Sequence, residues 1–427
     1  MAELVVPFAR REGAEGLAKG SPPWVLEARL AALHRFETTP VESSPLFNKH
    51  VITDGAPVTL VDLGPVASPA PELGTLPAGG FSAHARIVDG AVASLAVSEE
   101  AREGGLVLSS ISGALAGKPR LAEELLTAGA TDQADKFFQL TRALFQDGII
   151  LDVPAGLKLK APVRLEVVQR APKLASFARV IVRLAEGASA EFLESHASSI
   201  DAPSVQGIGC EAQVGDEASL HYSAVGNFGP QVGVFLNRQA AVLRRGKAHW
   251  SLGNFGGALT KSLTHTKLLG NDSRVKHTEV VFGAQAQKFD ISSFVTHIGH
   301  RALSDVLARA ALRHKSRGNV KGMITIDHKG LNADSYLGQF ALLLDREAKS
   351  VAIPGLEIET AQVVRAKHAA AVQQIDENQV FYLQSRGVPP ETARRLIVEG
   401  FLNPVIEGIS SEEFRAEVHR LIEAKWG

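Results

Sequence analysis

From Ile149 to about Leu356 the chain reads as short extended runs, with apolar residues recurring at every second position and polar turns between runs. ARVIVRLAEGASAEFLES (178–195), GCEAQVGDEASLHYSAV (209–225) and AAVLRRGKAHWSLGNF (240–255) are each two such runs. Ala188, Ala218 and Ala248 mark evenly spaced turns, and a further turn at Gly270-Asn271-Asp272 comes slightly early. A period of this kind lies within the ~20–50 residues of solenoids, propellers and arrays. One strand–turn–strand unit is too small to bury its own apolar face and must stack on its neighbour. A parallel β-helix is therefore favoured over an antiparallel sandwich. Sandwich strands usually turn every ~8–12 residues through tight Asn-Gly or Gly-Gly hairpins, which are sparse here.

The flanks follow other periods. Residues 1–147 read as a mixed α/β unit with a helical bias. Ser21 ahead of Pro22-Pro23 opens a helix with Leu26, Leu30 and Leu33 on one stripe, and Thr38-Thr39-Pro40 ends it. Residues 64–80 read as a loop, and short strands are expected at 85–88 and 106–108. A helix over 132–145 carries Phe137, Leu140 and Leu144 on one side.

Residues 148–358 form the expected β-helix core, and 359–427 a strand-to-helix segment with a helical domain. In that last part Val364, Ala366, His368, Ala370 and Val372 alternate and would share one face of an extended strand. A short helix at 379–386 is closed by Gly387, and Pro389-Pro390 opens a second with Ala393, Leu396, Ile397 and Phe401 on one stripe. In the final helix Ser410 and Glu413 stand at capping-box spacing, and Phe414, Val418, Leu421 and Ile422 fall on one face.

Composition narrows the function. A net charge of −1 lacks the Lys/Arg surplus of a broad nucleic-acid footprint. With 45% hydrophobic but only 6% aromatic residues, the core packs small side chains, as a solenoid does. Cys210 is the sole cysteine, so no disulfide framework exists within the chain, and a reducing cytoplasmic setting is expected. The N-terminus lacks the layout of a secretory signal, and no window has the ~18–20 apolar residues that cross a bilayer.

Enzyme signatures are weak. GALAGKPR (113–120) has three residues between its glycines where a phosphate loop needs four, and Pro119 where it needs Ser or Thr. GIGCEA (207–212) lies in strand-like surroundings with no helix after it. His297 and His300 fit a turn and surface role, and His314, His328, Asp327 and Glu279 show no ligand spacing. Cys210 reads as a small buried hydrophobe. His368 stands between Ala366 and Ala370, which leave lateral room around the imidazole. A lone histidine on an apolar face is nevertheless most often a core residue.

LEI (356–358), the lone histidine in an Ala-rich run, FYLQSRG (381–387), a helix ending in GF (400–401) and ALFQDGIILDVP (143–154) together resemble the SufB/SufD family of iron–sulfur cluster assembly scaffolds. The resemblance covers most of the chain and is closer to SufD than to SufB. SufB carries an acidic, histidine-rich run here, and its cluster-holding cysteine has no counterpart. The resemblance implies a right-handed parallel β-helix between an N-terminal α/β region and a C-terminal helical domain. It implies a non-catalytic scaffold subunit that pairs edge to edge with a SufB-like paralogue at the open end of the solenoid. Leu342, Leu343, Leu344, Leu356 and Ile358 are the residues expected there. It further implies that the C-terminal helices bind a SufC-like ABC ATPase, with Phe381, Tyr382, Arg386 and Phe401 as candidates.

His368 corresponds to the histidine implicated, with a SufB cysteine, where the nascent cluster forms. One cysteine cannot hold a cluster, so this chain would bind none stably alone and would contribute at most a partial ligand set. Many SufD sequences place a cysteine two residues before the histidine and Gly-Ala-Thr after it; here these are Ala366 and Ala369-Ala370-Ala371, so a second local ligand is absent. An exposed apolar end would also let the isolated chain pair with itself. The rival reading is a β-helix carbohydrate lyase or hydrolase, which needs acidic and basic residues clustered in a groove. Here the acids concentrate at turns and sugar-stacking aromatics are few.

Overall fold

The computed structural model describes residues 5–65, 71–76, 80–127, 135–198 and 200–426. Its centre is a parallel β-solenoid of about eight turns. Consecutive strands alternate between two sheets, so each coil adds one strand to each. The first sheet runs from Asp147–Val153 to Lys349–Ile358, the second from Val163–Gln169 to Val363–Gln374, and every stacked pair within these spans is parallel. The core expected at 148–358 thus extends to Gln374, because the alternating run around His368 is the last coil's second strand.

The register explains the even turns and their drift. Ser189, Ser219, Lys247, Arg274, Leu303 and Asp334 form one column, and coil length ranges from 27 residues (Lys247 to Arg274) to 31 (Leu303 to Asp334). Ala248 pairs with Leu220, so it is not stacked on Ala218 as even spacing suggests.

At the corner between the first sheet and the second, each coil places one residue in the left-handed region: Gly156, Gly187, Glu217, Arg245, Asp272, Arg301 and Asn332. Turning the chain this way costs a non-glycine residue roughly 1 kcal/mol or more. The turn aims its N–H at the next coil: Glu217 N donates to Arg244 O at 2.8 Å and Asn332 N to Gln362 O at 2.7 Å. Ion pairs between coils, Arg244–Asp216 at 2.9 Å and Arg301–Asp272 at 2.8 Å, reinforce the same corner.

The N-terminal helices lie on the outer face of the first sheet, while the strands Ala83–Val88 and Ala91–Ser98 extend the second sheet at its start. The helix Lys136–Leu144 starts where the Asp135 side chain accepts from Phe138 N at 2.8 Å; residues 132–134 of the expected helix lie outside the described residues. Phe137 stacks on Phe235 with ring centroids 4.5 Å apart. Glycine allows this approach, since a Cβ on Gly209 would meet Phe138 at 3.0 Å. The earlier helix, Pro23–Thr38, buries Val25, Arg29, Ala32, Leu33 and Phe36, so its stripe is offset from Leu26 and Leu30. Arg29 explains the offset: its guanidinium lies 3.8 Å over the Phe145 ring and donates to Ala143 O.

The C-terminal helices Glu377–Ser385, Pro390–Ile406 and Glu412–Ala424 fold back over the outer face of the second sheet. Their core is Ala393, Val398, Leu402, Val405, Phe414, Val418, Leu421 and Ile422, against Val280, Phe282 and Ala311. Leu396 is exposed, because the buried stripe of its helix runs through Val398 and Leu402. Ser411 caps the last helix in place of Ser410, accepting from Phe414 N at 3.2 Å. Since these helices cover a side of the solenoid, its final coil is left bare among the described residues.

Candidate functional site: the uncapped end of the solenoid

The last coil consists of Lys349–Ile358 and Val363–Gln374, each the edge strand of its sheet. Paired residues in a parallel ladder face the same way, so the inward row of each edge strand can be read from the coil below. Ile324 and Ile326 belong to the interior cluster and pair with Leu356 and Ile358. Ser335, Leu337, Gln339 and Ala341 are buried and pair with Ala366, His368, Ala370 and Val372. A bulge at Ala333/Asp334 leaves Val364 without a partner and so removes it from the expected alternation.

His368 therefore stacks on Leu337 on the inward face of the last strand, yet it is exposed because no further coil lies above it. Around it the end is apolar: Ile358 is 44% and Val372 41% exposed. The strand Val363–Gln374 satisfies one ladder and leaves the other free along 12 residues. A long free ladder is a template for strand addition. Its neighbour Lys349–Ile358 carries Pro354, which has no N–H and blunts that edge. The free backbone capacity is therefore greater on the His368 strand.

The other expected partner residues divide into three groups. Leu356 is half-buried against the interior cluster and Ile358 is exposed, both at the open end. Leu343 is half-buried, on the same interior row as Leu337. Leu342 and Leu344 differ from expectation. They are only 2% and 5% exposed, inside the cluster beneath the C-terminal helices, because alternation sends them to the outer face.

On the helices, Phe381 (70% exposed) and Tyr382 (57%) stand free, with the Arg386 guanidinium 5.4 Å from the Tyr382 ring. Phe401 is half-buried and serves an internal seam. Arg309 sits between the Phe401 and Phe340 rings, at 5.1 and 5.4 Å from their centroids, and donates to Phe401 O.

His297 departs from its expected turn and surface role. His297 is buried at the end of Lys288–His297, within 2.8 Å of Ser304 Oγ, and burial lowers its pKa to about 4; only His300 takes a turn position. A buried ionic group also lies in the bore that sequence inspection missed. Glu194 contacts His196 at 2.5 Å and Arg238 at 2.7 Å and accepts from the Tyr222 hydroxyl. Burial opposes its ionisation, but His196 and Arg238 hold the carboxyl well below the usual carboxylate range. Its signal was parity: Glu194, His196 and Arg238 share the inward rows of Ala190, Phe192, Leu236 and Ala240.

Cys210 is buried beside this group, and burial, then the Glu194 carboxylate, push its thiol up, so it remains protonated. Five strand steps separate it from the last coil, about 24 Å at ~4.8 Å per step. Cys210 and His368 cannot share a ligand. Among the described residues no helix is long and apolar enough to cross a membrane.

The family model for the SufBD core domain of the SUF system of iron–sulfur cluster assembly matches residues 167–401, from the early coils to the second C-terminal helix. The chain belongs to this family. Among curated proteins it is 29% identical over 336 residues to the iron-sulfur cluster assembly protein SufD of Bacillus subtilis (strain 168), covering 78% of this chain and 77% of that one. It is 25% identical over 325 residues to an iron-sulfur cluster assembly SufBD family protein of Staphylococcus aureus (strain MRSA252), covering 76% of this chain and 70% of that one. Within the SufBD family it is most like SufD. The matched span includes both edge strands and His368.

Proposed function

We propose that this chain is a non-catalytic scaffold subunit of a SufB–SufC–SufD-type complex that assembles and passes on iron–sulfur clusters. The observation that carries the reading is the uncapped last coil, which combines a free 12-residue ladder, exposed Ile358 and Val372, and one imidazole. A SufB-like paralogue would lay its own terminal coil against this end, and without it a second copy of the chain could occupy the same edge. His368 would then face the seam and offer one nitrogen to a nascent cluster whose thiolates come from the partner, since Cys210 is too distant and too deeply buried to contribute.

Phe381, Tyr382 and Arg386 form the exposed helical face that would receive a SufC-like ABC ATPase, which would supply ATP hydrolysis. The three side chains contribute little to this chain's own core, which favours an external role. Co-expression of the chain with both partners under reducing, anaerobic conditions is the test. A stable stoichiometric assembly is expected; failure of the three proteins to co-purify would overturn the proposal.

A further inference from the structure

We infer that Asp327, His328 and Glu359 form a site for one divalent transition-metal ion of the iron(II) to zinc(II) class, at the corner joining the last two coils. Asp327 and His328 follow the strand Arg317–Ile326, and Glu359 follows Lys349–Ile358. The ladder stacks Ile326 on Ile358, and Glu359 N donates to Ile326 O at 2.9 Å, so the two strand exits lie over each other. Asp327 Oδ1 is held by Lys329 N at 2.9 Å and lies 3.0 Å from His328 Nδ1. One ligand atom from each of the three side chains lies within 4.8 Å of the others. An ion with bonds of ~2.0–2.2 Å spans at most ~4.0–4.4 Å between opposite ligands, which small side-chain rotations reach from here.

The charge pattern supplies a second, independent argument. At earlier coils of this same corner three acids are paired with arginines from the next coil: Asp216 with Arg244, Glu217 with Arg245, Asp272 with Arg301. At the last corner the next coil's Arg365 pairs with Asp334 at 2.6 Å and does not serve Asp327 or Glu359. Among the described residues neither Asp327 nor Glu359 has a Lys or Arg within ion-pair distance; Asp327 meets the His328 imidazole and the Lys329 N–H. Two close carboxylates without a counter-charge favour a cation. Two carboxylate oxygens and an imidazole nitrogen suit iron(II), manganese(II), cobalt(II) or zinc(II). Calcium and magnesium prefer all-oxygen sets, and copper(I) prefers thiolates. Three protein ligands leave coordination positions for water or an exchanging ligand. Bound there, the ion would fasten the start of the 359–362 link to the coil below, at the rim of the open end. This inference concerns the chain alone and holds or fails independently of the partner assignment.

The test is titration of tag-free, full-length chain with Co2+ near neutral pH, by calorimetry and by visible ligand-field absorption. One equivalent with a ligand-field spectrum is expected. Glu359→Gln and His328→Ala should each weaken binding by about tenfold or more, since even indirect contacts to a metal are worth ~10–100-fold. Glu347→Gln, at the opposite corner, should leave it unchanged. Glu359 and His328 are exposed, so the variants should retain the parent's unfolding midpoint. Absence of stoichiometric binding, or binding insensitive to both substitutions, would overturn the inference.

Discussion

Arg238→Met is the sharpest probe of the solenoid's interior. Methionine keeps much of the apolar stem but removes the guanidinium that lies 2.7 Å from Glu194 Oε1, in a pair whose side chains are 3% and 0% exposed. Two charges ~4 Å apart at an effective dielectric constant of ~20 interact by about 4 kcal/mol. Stranding one member of a buried pair costs about 3–5 kcal/mol, so the two routes agree. The assay is urea unfolding followed by tryptophan fluorescence; of the three tryptophans, Trp250 is buried in the same bore with its ring 5.0 Å from that of Tyr222. Glu194→Gln combined with Arg238→Met removes both charges and should recover most of the loss.

Acid provides a further readout. The unfolded Glu194 carboxyl has an ordinary value of 4.5 and the folded one lies well below it. As pH falls under about 4.5 the unfolded state takes up its proton first, so this part of the stability is present above that pH and declines beneath it. In Arg238→Met the folded value rises towards the unfolded one and the acid dependence flattens. A loss under about 1 kcal/mol, or a double variant whose loss equals the sum of the singles, would refute the reasoning.

Further outcomes are expected elsewhere. His368→Ala should leave fold and partner pairing unchanged but impair cluster maturation in a reconstituted assembly; unchanged maturation would assign the side chain to packing. Gly207→Ala introduces a Cβ that would lie 2.2 Å from the Phe177 ring, and should cost about 1–3 kcal/mol in the unfolding midpoint. A parent-like midpoint would mean that the Phe177 ring swings aside and the close approach does not require glycine. Phe381→Asp with Tyr382→Asp should change stability by less than about 0.5 kcal/mol and abolish co-purification of the ATPase partner; its retention would place that contact elsewhere.

The solenoid was legible because stacking forces the same alternation and a turn of the same kind on every coil, and both are local patterns. The Ala248 offset was not, since coil lengths vary and only the ladder fixes register. The helices were legible from caps and prolines, whereas the faces they bury depend on what they meet. Arg29 sits in a core position because Phe145 and a free carbonyl lie opposite, and Leu396 is left outside because Val398 faces the second sheet. Leu342 and Leu344 were misplaced for the same reason: an apolar run near a chain's last coil does not reveal which side a later domain will cover. Asp327 and His328 show no ligand spacing in sequence because the third member of the group, Glu359, lies 31 intervening residues after Asp327, a separation that one coil step closes.

The proposed assembly depends most on the bare last coil being the surface where a sister subunit docks. The direct measurement is co-purification of the chain carrying Ile358→Asp and Val372→Asp with a SufB-like paralogue, beside the unfolding curve of the variant alone. Both positions are exposed, so the variant should unfold like the parent and fail to capture the paralogue. Capture at the parent's yield would contradict the account and move the pairing surface away from this end.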